Sequence, residues 1–357
     1  MDSTDPEIIL DERGICNNCK DYERVASQKI IKGESANIKF NEIIKEIEKS
    51  GNGMSYDCVV GVSGGVDSSY VAYLAKKNGL RPLAVHLDNG WDTKIATKNI
   101  NSIVKKLGID LETYVINWEE FKDLQLAYLR ASVVDIEAIT DHAIKAALFK
   151  IASKHGLKHI LSGVNIATEG VLPRLWRHNK NDYKNIIDIH KRFGKMPLST
   201  FPFLKLNDRI NYHLIKGIKY VEILNYVDYK KEEAKKIIID DLGWEDYGGK
   251  HKESMFTAFF QSYILPRKFN IDKRKVHLSA LIMAGQITRE DALKEMQKPL
   301  YDDEKLKQDK EYVLRKFEIS EEEFEKIMNL PAKSHYDYKS NEKLLKILSK
   351  IYSICTK

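Results

Sequence analysis

The stretch CVVGVSGGVDSSYVAYLA, Cys58–Ala75, decides how the chain is read. Cys58-Val59-Val60-Gly61-Val62 is short, apolar and β-branched, which predicts a strand buried on both faces of a parallel sheet. After Asp67, the residues Tyr70, Val71, Leu74 and Ala75 have helical spacing, so Ser63–Ser69 falls where a strand hands over to a helix N-terminus. That junction suits an anion. The first turn of a helix offers unpaired N–H groups and a positive dipole end, and Gly64 and Gly65 let the main chain approach a phosphate with no Cβ in the way. Ser63, Ser68 and Ser69 can add hydroxyl donors. Asp67 is the odd member: a carboxylate beside phosphates is repulsive unless a cation lies between them, so Asp67 reads as a Mg²⁺ ligand. The spacing is neither that of the Lys-bearing G-x-x-x-x-G-K-[ST] loop nor that of G-x-G-x-x-G.

Outward from this stretch, strand and helix patterns alternate. Strands are predicted at Leu83–His86, Glu112–Ile116 and His159–Leu161, and helices up to Asn78-Gly79, near 93–107 and through a longer region ending near 155. Gly79, Gly108 and Gly156 each sit just past a helix, as C-terminal caps do. The expected fold class is α/β, a parallel sheet with helices on both faces, followed by a mostly helical C-terminal region and preceded by a short cysteine-containing appendage. Domains are drawn at 1–50, 51–170 and 171–357, the first ending in a helical segment around Lys39–Lys49 and a Ser50-Gly51-Asn52-Gly53 breaker.

Ligands of such sheets bind outside the carboxyl ends of the strands. Those ends carry His86-Leu87-Asp88-Asn89-Gly90-Trp91-Asp92 and Ser162-Gly163-Val164-Asn165, with Glu169 shortly after. Asp88 and Asn89 either contact the nucleotide or second substrate, or close the strand as a polar turn. Thr140-Asp141 reads as a helix cap and His142 as a structural histidine.

With 43% hydrophobic residues in 357, the chain can bury a large core. No apolar run approaches a membrane span and Met1–Asp5 is no signal peptide, so a cytoplasmic protein with no membrane partner is expected. A net charge of +6 suits a nucleotide or phosphorylated small molecule as well as nucleic acid. Four cysteines make no disulfide framework for this length. Cys58 reads as a small buried hydrophobe, Cys355 ends a C-terminal amphipathic helix, and Cys16-Asn17-Asn18-Cys19 is half of a zinc knuckle. The second half includes an amphipathic helix over 228–242 and capping sequences at Thr288–Asp291 and Ser320–Glu323. Its informative part is residues 247–279, where Lys250, His251, Lys268, Lys273, Arg274, Lys275 and His277 are interleaved with aromatics. Such a cluster can grip a diphosphate or an acidic sugar, or it can be a solvated basic face.

The S-G-G-x-D-S loop resembles the pyrophosphate-binding loop of the ATP-pyrophosphatase (PP-loop) superfamily, whose members cleave ATP between its α- and β-phosphates. Taken together, this loop, the LDNGWD segment, residues 139–170 and residues 248–293 resemble the N-acetyl sugar amidotransferase family of lipopolysaccharide O-antigen and flagellin glycan biosynthesis. The resemblance covers nearly the whole chain. It implies conversion of a sugar acetamido group to acetamidino with ATP, Mg²⁺ and ammonia, releasing AMP and pyrophosphate. Ser63, Gly64, Gly65, Asp67, Ser68, Ser69, Asp88 and Gly163 would then hold the nucleotide, with Asp67 and Glu169 on Mg²⁺. Catalysis would fall to Asp67, Lys250, His251, Lys273 and Arg274, and substrate contact to Asn89, Asn165, Glu169 and His277. No glutaminase nucleophile is visible, so a separate ammonia-supplying glutaminase subunit is implied, and the resemblance suggests that it is paired with a cyclase-like barrel subunit. The family usually opens with a further C-x-x-C that is absent here. Either Met1 is internal to a longer product or half of the knuckle is lost, so Cys16 and Cys19 are an incomplete Zn²⁺ set. Two rivals share the loop: a tRNA-modifying enzyme that adenylates a base for thiolation or lysidine formation, and a non-catalytic nucleotide-binding regulator. The first needs a basic stripe with stacking aromatics, and +6 over this length supplies no clear one, so no nucleic-acid partner is expected.

Overall fold

In the computed structural model, which describes residues 1–249 and 252–347, five parallel strands form one sheet. They are β1 (Cys58–Gly61), β2 (Pro82–Asp88), β3 (Leu111–Val115), β4 (His159–Ser162) and β5 (Lys219–Glu222), in the order β3-β2-β1-β4-β5. β1 is central, paired with β2 from Cys58 opposite Pro82 to Gly61 opposite Val85, and with β4 at Val59 opposite Ile160. Alternate side chains of a strand face opposite sides, so Val60 enters one core and Val59 the other, and both are fully buried.

The helices around the sheet are α1 (Asn17–Lys29), α2 (Glu34–Ser50), α3 (Val66–Lys77), α4 (Lys94–Leu107), α5 (Trp118–Ala131), α6 (Ala138–Lys154) and α7 (Ile166–Glu169). Val71 and Ala72 of α3, Ile100 and Ile103 of α4, and Ile43, Ile44 and Ile47 of α2 cover one face. Leu148, Phe149 and Ala152 of α6 cover the other. Each such aliphatic side chain, fully buried, contributes about 2 kcal/mol. The sequence-predicted cap at Gly108 is present, in the left-handed conformation at φ 59°.

Two expectations differ from the structure. The single helical region ending near 155 is two helices, because Ser132 takes a left-handed conformation (φ 58°) and ends α5. α6 therefore opens at Ala138, so Thr140-Asp141 lies within its first turns rather than capping it. β5 is also missed by periodicity: Lys-Tyr-Val-Glu is an edge strand with one exposed and three half-buried residues. It comes from beyond residue 170, so the sheet crosses the boundary drawn there.

The C-terminal helices Met255–Phe259, Leu265–Phe269, Asp303–Phe317 and Glu321–Met328 share a third core with α5. Trp91 joins this core to the sheet. It is 1% exposed, its indole N–H donates to Gln125 Oε1 at 2.8 Å, and its ring meets those of Trp118 and Phe317 edge-on. Its carbonyl accepts from the Met255 N–H at 2.8 Å, and the Thr93 N–H donates to the Glu253 carbonyl at 3.0 Å. An antiparallel bridge thus forms between Asp92 and Ser254. The N-terminal appendage lies on α7 and the helix Arg274–Met283, where Tyr22, Val171 and Ala280 are buried together and Lys275 pairs with Asp2 at 2.7 Å. Cys355 lies outside the described residues.

Candidate functional site

A cavity of about 1420 Å³ opens at the carboxyl ends of β1, β2 and β4, where a parallel sheet of this kind takes its ligands. Ser63, Gly65, Val66, Asp67 and Ser68 line one wall. α3 starts at Val66 behind Gly65, an N-cap with no side chain, so the positive end of the helix borders the cavity, a setting that suits an anion. The serines hold the loop in shape: Ser68 Oγ accepts from the Ser63 N–H at 3.2 Å, Ser63 Oγ lies 3.1 Å from Ser68 Oγ, and Ser69 Oγ donates to the Gly65 carbonyl at 2.6 Å. Gly64 has φ 78°, and a Cβ there would meet the Ala96 carbonyl oxygen at 2.7 Å. A Cβ on Gly163, at the end of β4, would meet the Asp67 carbonyl carbon and the Ser68 nitrogen at 2.9 Å. Gly163 is therefore required for β4 to lie against the start of α3.

Asp67 accepts a hydrogen bond from the Tyr229 hydroxyl. Burial raises the Tyr229 pKa, and the negative charges of Asp67 and Glu169 raise it further, so both carboxylates bear on one hydroxyl. Among the described residues no group of three or more His, Cys, Asp or Glu is arranged to hold a metal. Two carboxylates nonetheless suit Mg²⁺, which binds through one or two carboxylates plus substrate phosphates rather than in an all-protein cage. Asp67 and Glu169 would hold it there. His86 bridges the Val62 carbonyl (3.0 Å) and Asp92 (2.8 Å), both acceptors, so both ring nitrogens carry protons. Burial opposes this charge, but Asp92 outweighs it and the His86 pKa is raised.

The opposite wall carries Asp135, Glu137, Asp141, Lys145, Lys180 and Lys273. Lys180 Nζ donates to both oxygens of Asp135, at 2.7 and 2.9 Å, and pairs with Asp141 at 3.1 Å. Burial works against ionisation of Asp135, yet Lys180 and Lys273 hold its pKa below the ordinary range. The Lys180 segment is fixed by His142, whose Nδ1–H donates to the Lys180 carbonyl at 2.8 Å while Nε2 accepts from the Leu204 N–H at 2.9 Å. Burial lowers the His142 pKa to about 4, so the ring is neutral and structural as expected. Lys145 and Lys273 differ from Lys180: among the described residues neither side-chain amine makes an ion pair or a hydrogen bond, and burial lowers both pKa values. Two half-buried amines with no carboxylate in ion-pair contact suit an anion arriving with the ligand.

The sequence-predicted residues separate accordingly. Ser63, Gly65, Asp67, Ser68, Asn89, Gly163, Asn165, Glu169, Lys273 and His277 line the cavity. Gly64 and Ser69 do not; Gly64 supports the loop by accepting from the Trp244 indole at 2.8 Å. Asp88 closes the polar turn, accepting from the Gly90 N–H at 2.8 Å, and is not on the cavity wall. Arg274 is also outside the cavity: its guanidinium binds Asp272 at 2.8 Å and the Lys298 carbonyl at 2.8 Å, tying down a helix end. Lys268 binds the carbonyls of Ile327, Met328 and Leu330, so of the basic cluster only Lys273 and His277 reach the cavity among the described residues. Lys250 and His251 lie outside the described residues. Asp135, Glu137, Lys145, Lys180 and Tyr229 are missed by sequence reasoning, and Tyr247 and Glu253, which fall within the stretch 247–279, are given no role by it. A Gly65 Cβ would meet Glu253 Oε1 and the Tyr247 hydroxyl at 3.3 Å, so these two side chains stand at the mouth of the loop. Membership of the stretch 247–279 is the one local signal for any of them, and it marks only Tyr247 and Glu253.

Cys16 and Cys19 stand apart, with Sγ atoms 3.3 Å from each other; burial and then Cys16 raise the Cys19 pKa to about 11. Two thiols with no third His, Cys, Asp or Glu grouped with them among the described residues fall short of the four ligands a structural zinc site takes. Among the described residues no helix is long and apolar enough to cross a membrane.

Residues 38–169 match the NAD synthase family, and residues 253–352 match the family described as LPS biosynthesis protein WbpG-like, C-terminal domain. The chain is also similar to tRNA-specific 2-thiouridylases MnmA, at 30% identity over 133 residues for that of Staphylococcus epidermidis and 31% over 119 residues for that of Staphylococcus carnosus. These stretches cover 34% and 27% of this chain and 34% and 32% of the relatives, so the chain spans about a third of their length. The solved structure of NMN synthetase from Francisella tularensis aligns at a TM-score of 0.30 and 14% identity, over 63% of this chain and 92% of that one. The two family matches meet at the cavity: the NAD synthase match supplies the S-G-G-x-D-S loop, as the PP-loop reading of that stretch expects, and the WbpG-like match begins at Glu253, which lines the same cavity.

Proposed function

We propose that the protein is an ATP-dependent amidotransferase that converts an N-acetyl group of a sugar to acetamidino, acting in surface-polysaccharide or flagellin glycan synthesis. The observation that carries this reading is the junction of the two matched regions at one cavity, an ATP-pyrophosphatase loop on one wall and a WbpG-like segment entering beside it. An amide carbon is a poor electrophile. Its oxygen therefore first attacks the α-phosphate of ATP, forming an O-adenylyl imidate and releasing pyrophosphate, and ammonia then displaces AMP. The α3 amides and the loop serines receive the charge that develops on the leaving pyrophosphate. Mg²⁺, when bound, neutralises part of that charge at Asp67 and Glu169. Lys145 and Lys273 suit a diphosphate or a carboxylate on the sugar. Ammonia comes from a separate glutaminase subunit with a cyclase-like barrel, and the setting is the cytoplasm.

A second reading, a tRNA-modifying enzyme, is favoured by the similarity to the 2-thiouridylases. Thiolation needs reactive cysteines at the nucleotide. Here Cys58 is buried within β1 with its pKa raised by burial, and neither Cys16 nor Cys19 lines the cavity.

The deciding experiment is AMP and pyrophosphate release from MgATP with ammonium chloride, across nucleotide-linked N-acetylated sugars and bulk tRNA. AMP formed in step with a sugar about one mass unit lighter, oxygen replaced by NH, is the expected result. Pyrophosphate release with tRNA and with no sugar overturns it.

A further inference from the structure

One carboxyl group of the far wall has no structural task for one of its oxygens. Glu137 lines the cavity from the residue before α6, but it does not cap that helix with its side chain. Its Oε2 accepts from the Thr257 hydroxyl at 2.8 Å, which fixes the group against the helix Met255–Phe259. Its Oε1 is buried and, among the described residues, has no hydrogen-bond partner. A buried carboxylate oxygen without a donor is unfavourable unless a ligand supplies an N–H or O–H.

The surroundings divide the carboxylates of this wall into two kinds. Asp135, from the turn before α6, is held ionised, with both oxygens on Lys180 and one of them also taking the His178 N–H at 2.7 Å. Glu137 is pushed the other way. Burial raises its pKa to about 7; Thr257 and Lys180 oppose the rise, and Asp141 on α6 and Asp135 add to it, while Lys273 faces the same cluster from the start of its helix. Two acids driven apart in this manner take different roles, one a fixed charge and the other an exchanger of protons.

We propose that Glu137 accepts the proton of the incoming nitrogen nucleophile, an inference that rests on the amidotransferase reading. The Glu137 carboxylate removes one proton from an ammonium ion and becomes the acid. The lone pair of the resulting ammonia forms the new C–N bond at the imidate carbon. The C–O bond to the adenylate breaks, with its electron pair leaving on AMP. Because the neutral imidate gave up the amide N–H proton to solvent when it formed, the product departs as an amidinium whose three N–H protons are those of ammonia, and Glu137 returns its proton to solvent. The group is poised for this: one oxygen is anchored by Thr257, the other is without a donor among the described residues, and proton exchange falls near neutrality.

The test compares wild type with Glu137→Gln and Glu137→Asp, reading amidine formation against ammonium chloride from about pH 6 to about 9, beside sugar-dependent exchange of pyrophosphate into ATP. In wild type, kcat/KM for ammonium rises and breaks near pH 7. Glu137→Gln lowers amidine formation about 10²-fold and climbs with free ammonia with no break, while exchange falls far less. Glu137→Asp recovers part of the rate and the break. If the break persists in Glu137→Gln, or exchange and amidine formation fall in the same proportion, Glu137 has no such role although the amidotransferase reading stands. If wild type amidinates no sugar of the panel, both readings fall.

Discussion

The two walls of the cavity are built on different length scales. The nucleotide wall is consecutive: Ser63 to Ser68 run from the end of β1 into the first turn of α3, and the groups offered to an anion are main-chain amides and short hydroxyls. The far wall is assembled from the turn before α6, from α6 itself, from the Lys180 segment and from the start of the helix Arg274–Met283, and its offered groups are side-chain ammonium and carboxyl groups. A wall made of backbone is rigid and generic, fitting any nucleotide triphosphate. One made of distant charged side chains is held only by the packing that brings them together, and it is where specificity for the second substrate can reside.

The comparison can be broken first at Lys180. Lys180→Met leaves the buried Asp135 carboxylate uncompensated, so a loss of about 3–5 kcal/mol in urea unfolding is expected, most of it recovered by adding Asp135→Asn. A loss below about 1 kcal/mol would mean that the far wall does not depend on that pair. Glu137 gives the next largest effect, and its sign depends on pH. The folded-state pKa of about 7 lies above the ordinary value of 4.5, so between the two the folded protein binds a proton that the unfolded chain has released. Wild-type stability therefore falls as pH rises through this window, and Glu137→Gln is spared the fall. The variant is expected to be more stable by about 3 kcal/mol above pH 7 and equal to wild type below about pH 4.5, as read from denaturant midpoints at the two extremes. Equal midpoints at pH 8 would show that Glu137 is not desolvated. The smallest effect belongs to the backbone wall: Gly163→Ala forces β4 away from Asp67 and Ser68, costing about 1–3 kcal/mol in thermal unfolding and weakening nucleotide binding in a titration. An unchanged melting temperature would show that the contact can relax.

Sequence reading succeeds where the signal is local. The S-G-G-x-D-S loop, four of the strands, the Gly108 cap and the structural role of His142 all follow from neighbouring residues. It misses β5, whose four residues show no buried periodicity because one face of an edge strand is open. It also gathers too many residues into one basic cluster. Lys268, Arg274 and Lys275 lie within a few positions of Lys273, yet the first caps a helix through carbonyls, the second pairs with Asp272 and the third with Asp2. Helix phase and burial decide which cation reaches the cavity, and composition does not record them. Glu137, Lys145 and Lys180 have no neighbours in sequence that mark them; only the packing of α6 against the Lys180 segment does.

The late arrival of β5 has a consequence for how the molecule can be divided. β4 is an inner strand only because Lys219–Glu222 pairs along it, from His159 opposite Lys219 to Ser162 opposite Glu222. A chain cut at 170 would carry every residue of the nucleotide loop and still end in an open ladder of unpaired N–H and C=O groups along β4, a template for another molecule's strand. Such a piece would be inclined to self-association through that edge. The ATP-binding half is therefore not a cassette that can be lifted out at its motif boundary, and any transplant of it has to bring the residues through Glu222 along.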